Sequence, residues 1–270
     1  MQNKVVLITG STDGIGRQAA LELAARGFTV FVHGRSLARA RNVAEEIRTA
    51  TGNKNVEYLE ADLSSQRQVR ELAAEVEGRC DALHVLINNA GVFMNERQVT
   101  VDGLELTFAV NHLAPFLLTN LLLGLLQKSS PSRIITVSSM VHARSKIDFS
   151  DLQSGKKFAG YDAYAQSKLG NILFTFELAE RLQGTGVTAN CLHPGVIATK
   201  LLRAAFDSDG ASPADGAQTM IYLASSPELE QVTGKYYQEN RETRSAPLTY
   251  DRELRKMFWQ ISEQLTGISD

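Results

Sequence analysis

The stretch "VVLITGSTDGIGRQAALELAARG", residues 5–27, decides the fold. A β-branched apolar run from Val5 to Thr9 passes straight into Gly10, Gly14 and Gly16, and alanine-rich helical periodicity begins at once behind them. Glycine permits a tight turn and lets the backbone approach a pyrophosphate, whose charge the unpaired N–H groups at a helix start favour. A bare glycine triplet is also what many ordinary strand-to-helix turns contain. Here a strand precedes it and a helix follows, the context of a dinucleotide site.

Outward from that stretch the same alternation continues. "TVFVHG" (29–34), "VEYLE" (56–60), "LHVLIN" (83–88), "RIITVSS" (133–139), "VTANCLH" (187–193) and "GKYYQ" (234–238) read as further strands. Between them, residues 15–26, 37–51 and 65–78 carry apolar side chains at three- and four-residue spacing, as amphipathic helices do. A β-α-β series of this kind predicts a mostly parallel, seven-stranded sheet with helices on both faces, an α/β doubly wound domain of Rossmann type. No repeat, low-complexity tract or Pro-rich linker divides the chain, so residues 1–270 are expected to form one domain.

Bulk properties narrow the function. A chain of 270 residues with 43% hydrophobic residues can bury a full core. Its net charge of -2 and pI near 6.2 offer no excess of cations for a nucleic acid or an anionic membrane, so small-molecule partners are expected. Cys80 and Cys191 have neither zinc-site nor CxxC spacing and suit a reducing compartment. His112, His142 and His193 are scattered and read as structural, and no metal is expected. The apolar run after Lys4 is too short for a signal peptide or a membrane span. The run around residues 116–126 is interrupted by Thr119, Asn120 and Gly124 and reads as a buried helix. The expectation is a cytoplasmic protein without membrane insertion.

"GYDAYAQSK", residues 160–168, carries two tyrosines. On a helix, Tyr-x-x-x-Lys places phenol and ammonium one turn apart on one face, and only Tyr164 has that partner, Lys168. A free phenol titrates near about 10, so a tyrosine base needs nearby positive charge. Tyr164 is therefore the candidate acid/base, and Tyr161 a wall of the site or a core aromatic.

"TGSTDGIG" (9–16), "NNAG" (88–91), Tyr164 with Lys168, and "HPG" (193–195), in that order, resemble the short-chain dehydrogenase/reductase family. Residues 88–119 and 145–182 are similar to its retinol dehydrogenase-like branch. That branch commonly has an N-terminal membrane anchor, and the expectation here is a chain without one. The resemblance implies a catalytic set of Asn111, Ser139, Tyr164 and Lys168. In it Ser139 donates to the substrate oxygen and Asn111 holds a water linking Lys168 to solvent. From the residues alone, a kink residue bonding its own backbone is the lesser alternative for Asn111. The resemblance further implies cofactor contacts from Gly10, Ser11, Thr12, Gly14, Ile15, Gly16, Asp62, Leu63, Asn89, Ala90, Gly91, Tyr164, Lys168, Pro194, Gly195, Val196 and Thr199. Asp62 is placed near adenine, with a helix cap as the alternative. Thr199 is placed on the nicotinamide carboxamide, with a turn or cap as the alternative.

Cofactor choice is read after the second strand. Gly34, Arg35, Ser36 and Arg39 stand where NAD enzymes usually place an acid. A guanidinium binds a 2′-phosphate through charge-assisted bonds, so Arg35 points to NADP(H) in preference to NAD(H); a solvated arginine or one stacked on adenine is the competing reading. Residues 140–163 and 196–212 are candidate walls of a hydrophobic substrate pocket, with Phe93, Met94, Phe149, Phe158, Tyr161, Leu201, Leu202 and Phe206 as apolar candidates. Residues 251–267 form an expected last helix that docks on the body or on a partner subunit, which leaves a homo-oligomer open. The expected function is an NADP(H)-dependent oxidoreductase acting on a carbonyl or alcohol group. A non-catalytic dinucleotide-binding regulatory or scaffold protein is the alternative, and the full set of four catalytic candidates argues against it.

Overall fold

Val6 and Ile8 of strand β1 (Val5–Ile8) turn to one face of a sheet and Leu7 to the other, and both faces are covered. The computed structural model describes residues 4–205 and 209–268, so Phe206 lies outside the described residues. On the first face Val6 and Ile8 meet Ala19, Ala20 and Leu23 of helix α1 (Gly14–Ala25), Ile47 of α2 (Leu37–Thr51) and Met220 of α9 (Pro213–Ser225). On the second, Leu7 belongs with Leu72 of α3 (Gln66–Arg79), Phe116 of α5 (Ala114–Leu121) and Phe174 of α7 (Gly160–Arg181). Burial on both faces explains why these strands read as nearly continuous apolar runs.

The remaining strands are β2 (Thr29–Gly34), β3 (Val56–Glu60), β4 (Val85–Asn88), β5 (Ser132–Val137), β6 (Val187–His193), β7 (Tyr236–Gln238) and β8 (Arg241–Glu242), in the spatial order 3-2-1-4-5-6-7-8. Every pairing from β3 across to β7 is parallel. The chain builds outward from β1 to β3 and then crosses to β4 on the other side, so a crevice opens at the carboxyl ends of β1 and β4. Among the described residues the sheet has eight strands where seven are expected. The extra one, β8, is two exposed residues antiparallel to β7, joined through Glu239 and Asn240 at φ 51 and 61. A turn with two left-handed residues suits a tight hairpin, but Glu-Asn lacks the glycine that would announce it.

Between β4 and β5 the helical run opens with α4 (Leu106–Phe108), passes through a π-helical turn (Ala109–Leu113) that carries Asn111, and continues into α5 and α6 (Leu123–Lys128). Lys200–Ala205 forms the short α8. The last helix, α10 (Arg252–Thr266), is capped by Asp251, which accepts from the N–H groups of Glu253 and Leu254, and stops at Gly267 with φ 63. It docks on this chain's own body: Trp259 packs with Phe116 and Phe174 at ring distances of 4.9 and 5.8 Å. Among the described residues no helix is long and apolar enough to cross a membrane.

Candidate active site

The crevice at the strand ends is a cleft of about 960 Å³. Its floor is built by two motifs that lie eighty residues apart. The Asn89 side-chain Nδ2 donates to the carbonyl oxygens of Thr9 and Gly10 at 2.7 and 3.1 Å, and Thr9 Oγ1 accepts from the N–H groups of Asn89 and Ala90 at 3.0 and 3.1 Å. A Cβ on Gly10, whose φ is +64, would stand 2.8 Å from the Ala90 Cα, and one on Gly16 would stand 2.4 Å from Asn89 Nδ2. Only glycine allows this approach, and the turn it frees opens onto the first turn of α1.

His33 completes the floor, and the sequence reading passed over it. Its Nδ1 faces the N–H of Gly10 at 3.1 Å and its Nε2 faces the carbonyl oxygen of Ala61 at 3.2 Å. An N–H can only donate, so Nδ1 is bare and Nε2 carries the proton. Burial keeps this ring neutral and pulls its pKa down to about 4. Ser11, expected at the cofactor, turns inward instead. Its hydroxyl donates to the Ile8 carbonyl and accepts from the His33 N–H, and its own N–H donates to the His33 carbonyl, so neither donor is left for a ligand.

Thr12, Gly14, Ile15, Arg35, Arg39, Asp62, Leu63, Ala90, Gly91, Pro194, Gly195, Val196 and Thr199 all line the cleft. Arg35 is exposed. Asp62 does not cap α3: Ser65 does, accepting from Gln68, while Asp62 Oδ1 accepts from the N–H of Ser64 at 2.9 Å. Thr199 lines the cleft, and its Oγ1 accepts from the Leu202 N–H at 3.2 Å, as a cap of the short helix would.

Two serines with different partners follow β5, both at the cleft. The Ser138 hydroxyl is buried and donates to the Lys168 carbonyl, whereas Ser139 lines the cleft near the Tyr164 phenol, its Oγ accepting from the Val141 N–H at 3.5 Å. Tyr164 and Lys168 lie on α7 with the ammonium 5.6 Å from the phenol ring centre, and Lys168 Nζ donates to the Val137 carbonyl at 3.0 Å. Burial pulls Lys168 down to about 8. Burial also pushes the Tyr164 phenol up, and the Ser139 hydroxyl opposes it. The sequence predicts a phenol lowered by a nearby ammonium and an oxidised nicotinamide; burial is the largest influence on Tyr164 and raises it.

Asn111 is fully buried and does not reach the cleft wall. Its amide bonds the main chain of Val92 in both directions, at 2.7 and 3.0 Å, and donates to Ser167 Oγ at 3.0 Å. It is therefore not bonding its own helix. A Cβ on Gly91 would lie 3.4 Å from both Asn111 Oδ1 and Lys168 Nζ, so the two side chains flank one glycine.

Beyond Ser139 the wall is mostly apolar, with Arg144 as a charged member. Met94, Tyr161, Leu201 and Leu202 take part as expected, as do Met140 and Val141 of the 140–163 segment, and Leu106 and Val110, which carry no distinguishing pattern in the sequence, join them. Three expected wall residues lie elsewhere. Phe93 packs edge-on against Tyr164, Phe149 against Phe258 in a satellite core, and Phe158 is not on the cleft. Among the described residues no three His, Cys, Asp or Glu side chains stand together in a way that would hold a metal ion.

This arrangement defines a nucleotide-binding oxidoreductase of the Rossmann type. The profile of the short chain dehydrogenase family matches residues 4–210, and the chain belongs to that family. Its likeness falls in the retinol dehydrogenase branch: it is 42% identical to human retinol dehydrogenase 14 over 99% of this chain and 88% of that one. A solved structure of an uncharacterized protein from Mycobacterium paratuberculosis superposes with a TM-score of 0.83 at 33% identity, covering 98% of this chain and 94% of the other. A short chain dehydrogenase from Escherichia coli CFT073, solved in complex with NADPH, does so with a TM-score of 0.73 at 28% identity over 89% of this chain and 98% of that one. The protein is an oxidoreductase acting on CH–OH or C=O groups.

Proposed function

We propose that the protein interconverts a lipophilic carbonyl compound and its alcohol with NADP(H). The observation that carries this reading is a single cleft joining the glycine turn to Ser139, Tyr164 and Lys168 and ending in an apolar wall. The residues present fit a dinucleotide, since Gly10 and Gly16 let the turn close on the Asn89–Ala90 motif, where any Cβ would collide, and Arg35 offers an exposed guanidinium at the end of β2. The E. coli relative was solved with NADPH, and retinol, in the name of the human relative, is a lipophilic alcohol.

When bound, the nicotinamide supplies the hydride for reduction or takes it in oxidation. The chain's own groups handle the oxygen and the proton. Ser139 donates to the substrate oxygen as negative charge grows on it. Tyr164 Oη gives that oxygen a proton in reduction and takes one back in oxidation. Lys168, held at about 8, exchanges a proton readily near neutral pH and recharges the phenol through the buried region it shares with Asn111. The expected product of reduction is the alcohol, with one hydride on carbon and one proton on oxygen.

A panel of aliphatic and polyene aldehydes and ketones, followed by loss of NADPH absorbance, tests the reading. Turnover that rises with chain length supports it. Turnover confined to small polar carbonyls, or the absence of any, overturns it.

A further inference from the structure

His142 is buried, yet it does not face the cleft. It sits in the 3-10 turn (Met140–Arg144) that Ser139 opens, and Met140, Val141 and Arg144 of the same turn line the cleft while His142 points the other way. Its Nδ1 lies 2.6 Å from the Ser139 carbonyl oxygen, which also accepts the His142 main-chain N–H at 3.1 Å. Its Nε2 lies 3.1 Å from the main-chain N of Ala246, and the ring packs edge-on against Tyr236 at 5.1 Å. The Ala246 N–H can only donate, so Nε2 must be bare. A neutral ring then carries its proton on Nδ1, aimed at Ser139.

We propose that His142 is a positioning residue for Ser139, and that the segment at residues 245–250 fixes its tautomer through the N–H of Ala246. This rests on the reading of Ser139 as the donor to the substrate oxygen. Two donors on one carbonyl hold the peptide plane that follows Ser139, and with it the backbone from which the Ser139 hydroxyl projects at the cleft. The anchoring segment is itself rigid. Ser245 Oγ and Thr249 Oγ1 lie 2.7 Å apart, Thr249 Oγ1 donates to the Ala246 carbonyl at 2.7 Å, and the Ser245 N–H donates to the Tyr250 hydroxyl at 3.2 Å. All of this lies beyond residue 210, where the family profile stops matching, so the geometry of the serine is held by a part of the chain outside that match.

Four variants of the full chain test the inference. Asparagine places an amide N–H where Nδ1–H stands and has nothing for Ala246; glutamine reaches the Ala246 side and loses the Ser139 donor. His142→Asn is therefore expected to keep kcat near wild type. His142→Gln and His142→Ala should lower it, on the order of 10-fold or more, with KM and the NADPH Kd unchanged. Ala246→Pro replaces the opposing N–H by a ring carbon from which Nε2 can accept nothing; the φ of -56 at Ala246 already suits proline, and the His142 ring must shift to admit that carbon. It too should lower kcat alone. Nitrogen-15 NMR of the wild type should show His142 protonated at Nδ1 and bare at Nε2, with the two tautomers mixed in Ala246→Pro.

A protein whose His142 carries its proton on Nε2 would overturn the proposal, even if the alanine variant fails to fold. So would equal kcat in the asparagine and glutamine variants, or full kcat in His142→Ala while Ser139→Ala is inactive. Full activity in Ser139→Ala is the separate outcome that defeats the serine assignment, and the positioning role falls with it.

Discussion

The Ser138 hydroxyl donates to the main-chain carbonyl of Lys168 at 2.7 Å, so the first serine of the pair belongs to the packing of α7 on β5 and only the second is free to meet a substrate. Ser139→Ala should lower kcat by roughly 2 to 4 kcal/mol of transition-state stabilisation and leave melting temperature close to wild type. Ser138→Ala should do the reverse. It strips a buried hydrogen bond worth about 1 kcal/mol and lowers stability with a small effect on kcat. Steady-state kinetics and thermal denaturation of the two variants separate these outcomes, and full activity in Ser139→Ala would refute its role.

Tyr164 lies against Ser139 at the meeting point of cofactor cradle and apolar wall, while Tyr161 is half-buried on that wall. Tyr164→Phe keeps the ring and its edge contact with Phe93 but removes the transferable proton. Turnover should collapse while NADPH affinity, read by fluorescence titration, stays within about 2-fold. Tyr161→Phe should retain most of its kcat. Comparable losses in both would show that the helix spacing picked the wrong phenol.

Much of this was legible because period and punctuation agree. The glycine turn, the spacing of Tyr164 and Lys168 and the apolar strands each depend on neighbours within a few positions, which a sequence displays directly. What escaped depends on contacts across the fold. His33 matters because β2 brings its ring under Gly10, and Ser11 turns inward because that same ring and strand occupy its donors. Phe149 reads like a pocket aromatic and is instead claimed by Phe258, more than a hundred residues away. Strand β8 was missed because its turn residues, Glu239 and Asn240, adopt left-handed angles without a glycine to signal them.

His33 gives an acid dependence with a definite sign. Its native pKa of about 4 lies below the ordinary value of 6.5, so the unfolded chain takes up a proton that the native ring refuses. The contribution of this site is fully present above pH 6.5 and is lost as pH falls from there toward 4, by at most about 1.4 kcal/mol per pH unit. His33→Leu should remove this part of the slope. It also leaves the Gly10 N–H without its partner, at a cost of about 1–3 kcal/mol. Urea unfolding of wild type and variant at pH 7 and pH 5 measures both effects. An unchanged pH slope in the variant would mean that His33 is not the group refusing the proton.

Cofactor choice can be tested at Arg35 without touching the cradle. The residue is exposed on the cleft at the end of β2, and Arg35→Ala should raise the KM for NADPH on the order of 10-fold while barely moving that for NADH, because the charge-assisted bond exists only where there is a 2′-phosphate. The neighbouring glycine is a poor place to install an acid. A Cβ on Gly34 would stand 2.5 Å from Thr12 Cγ2, so even Gly34→Ala should displace Thr12 and weaken both cofactors together. The pair of variants thus separates charge from space. If Arg35→Ala weakens NADPH and NADH equally, the guanidinium is stacking or packing and the preference for NADP(H) must come from elsewhere or not exist.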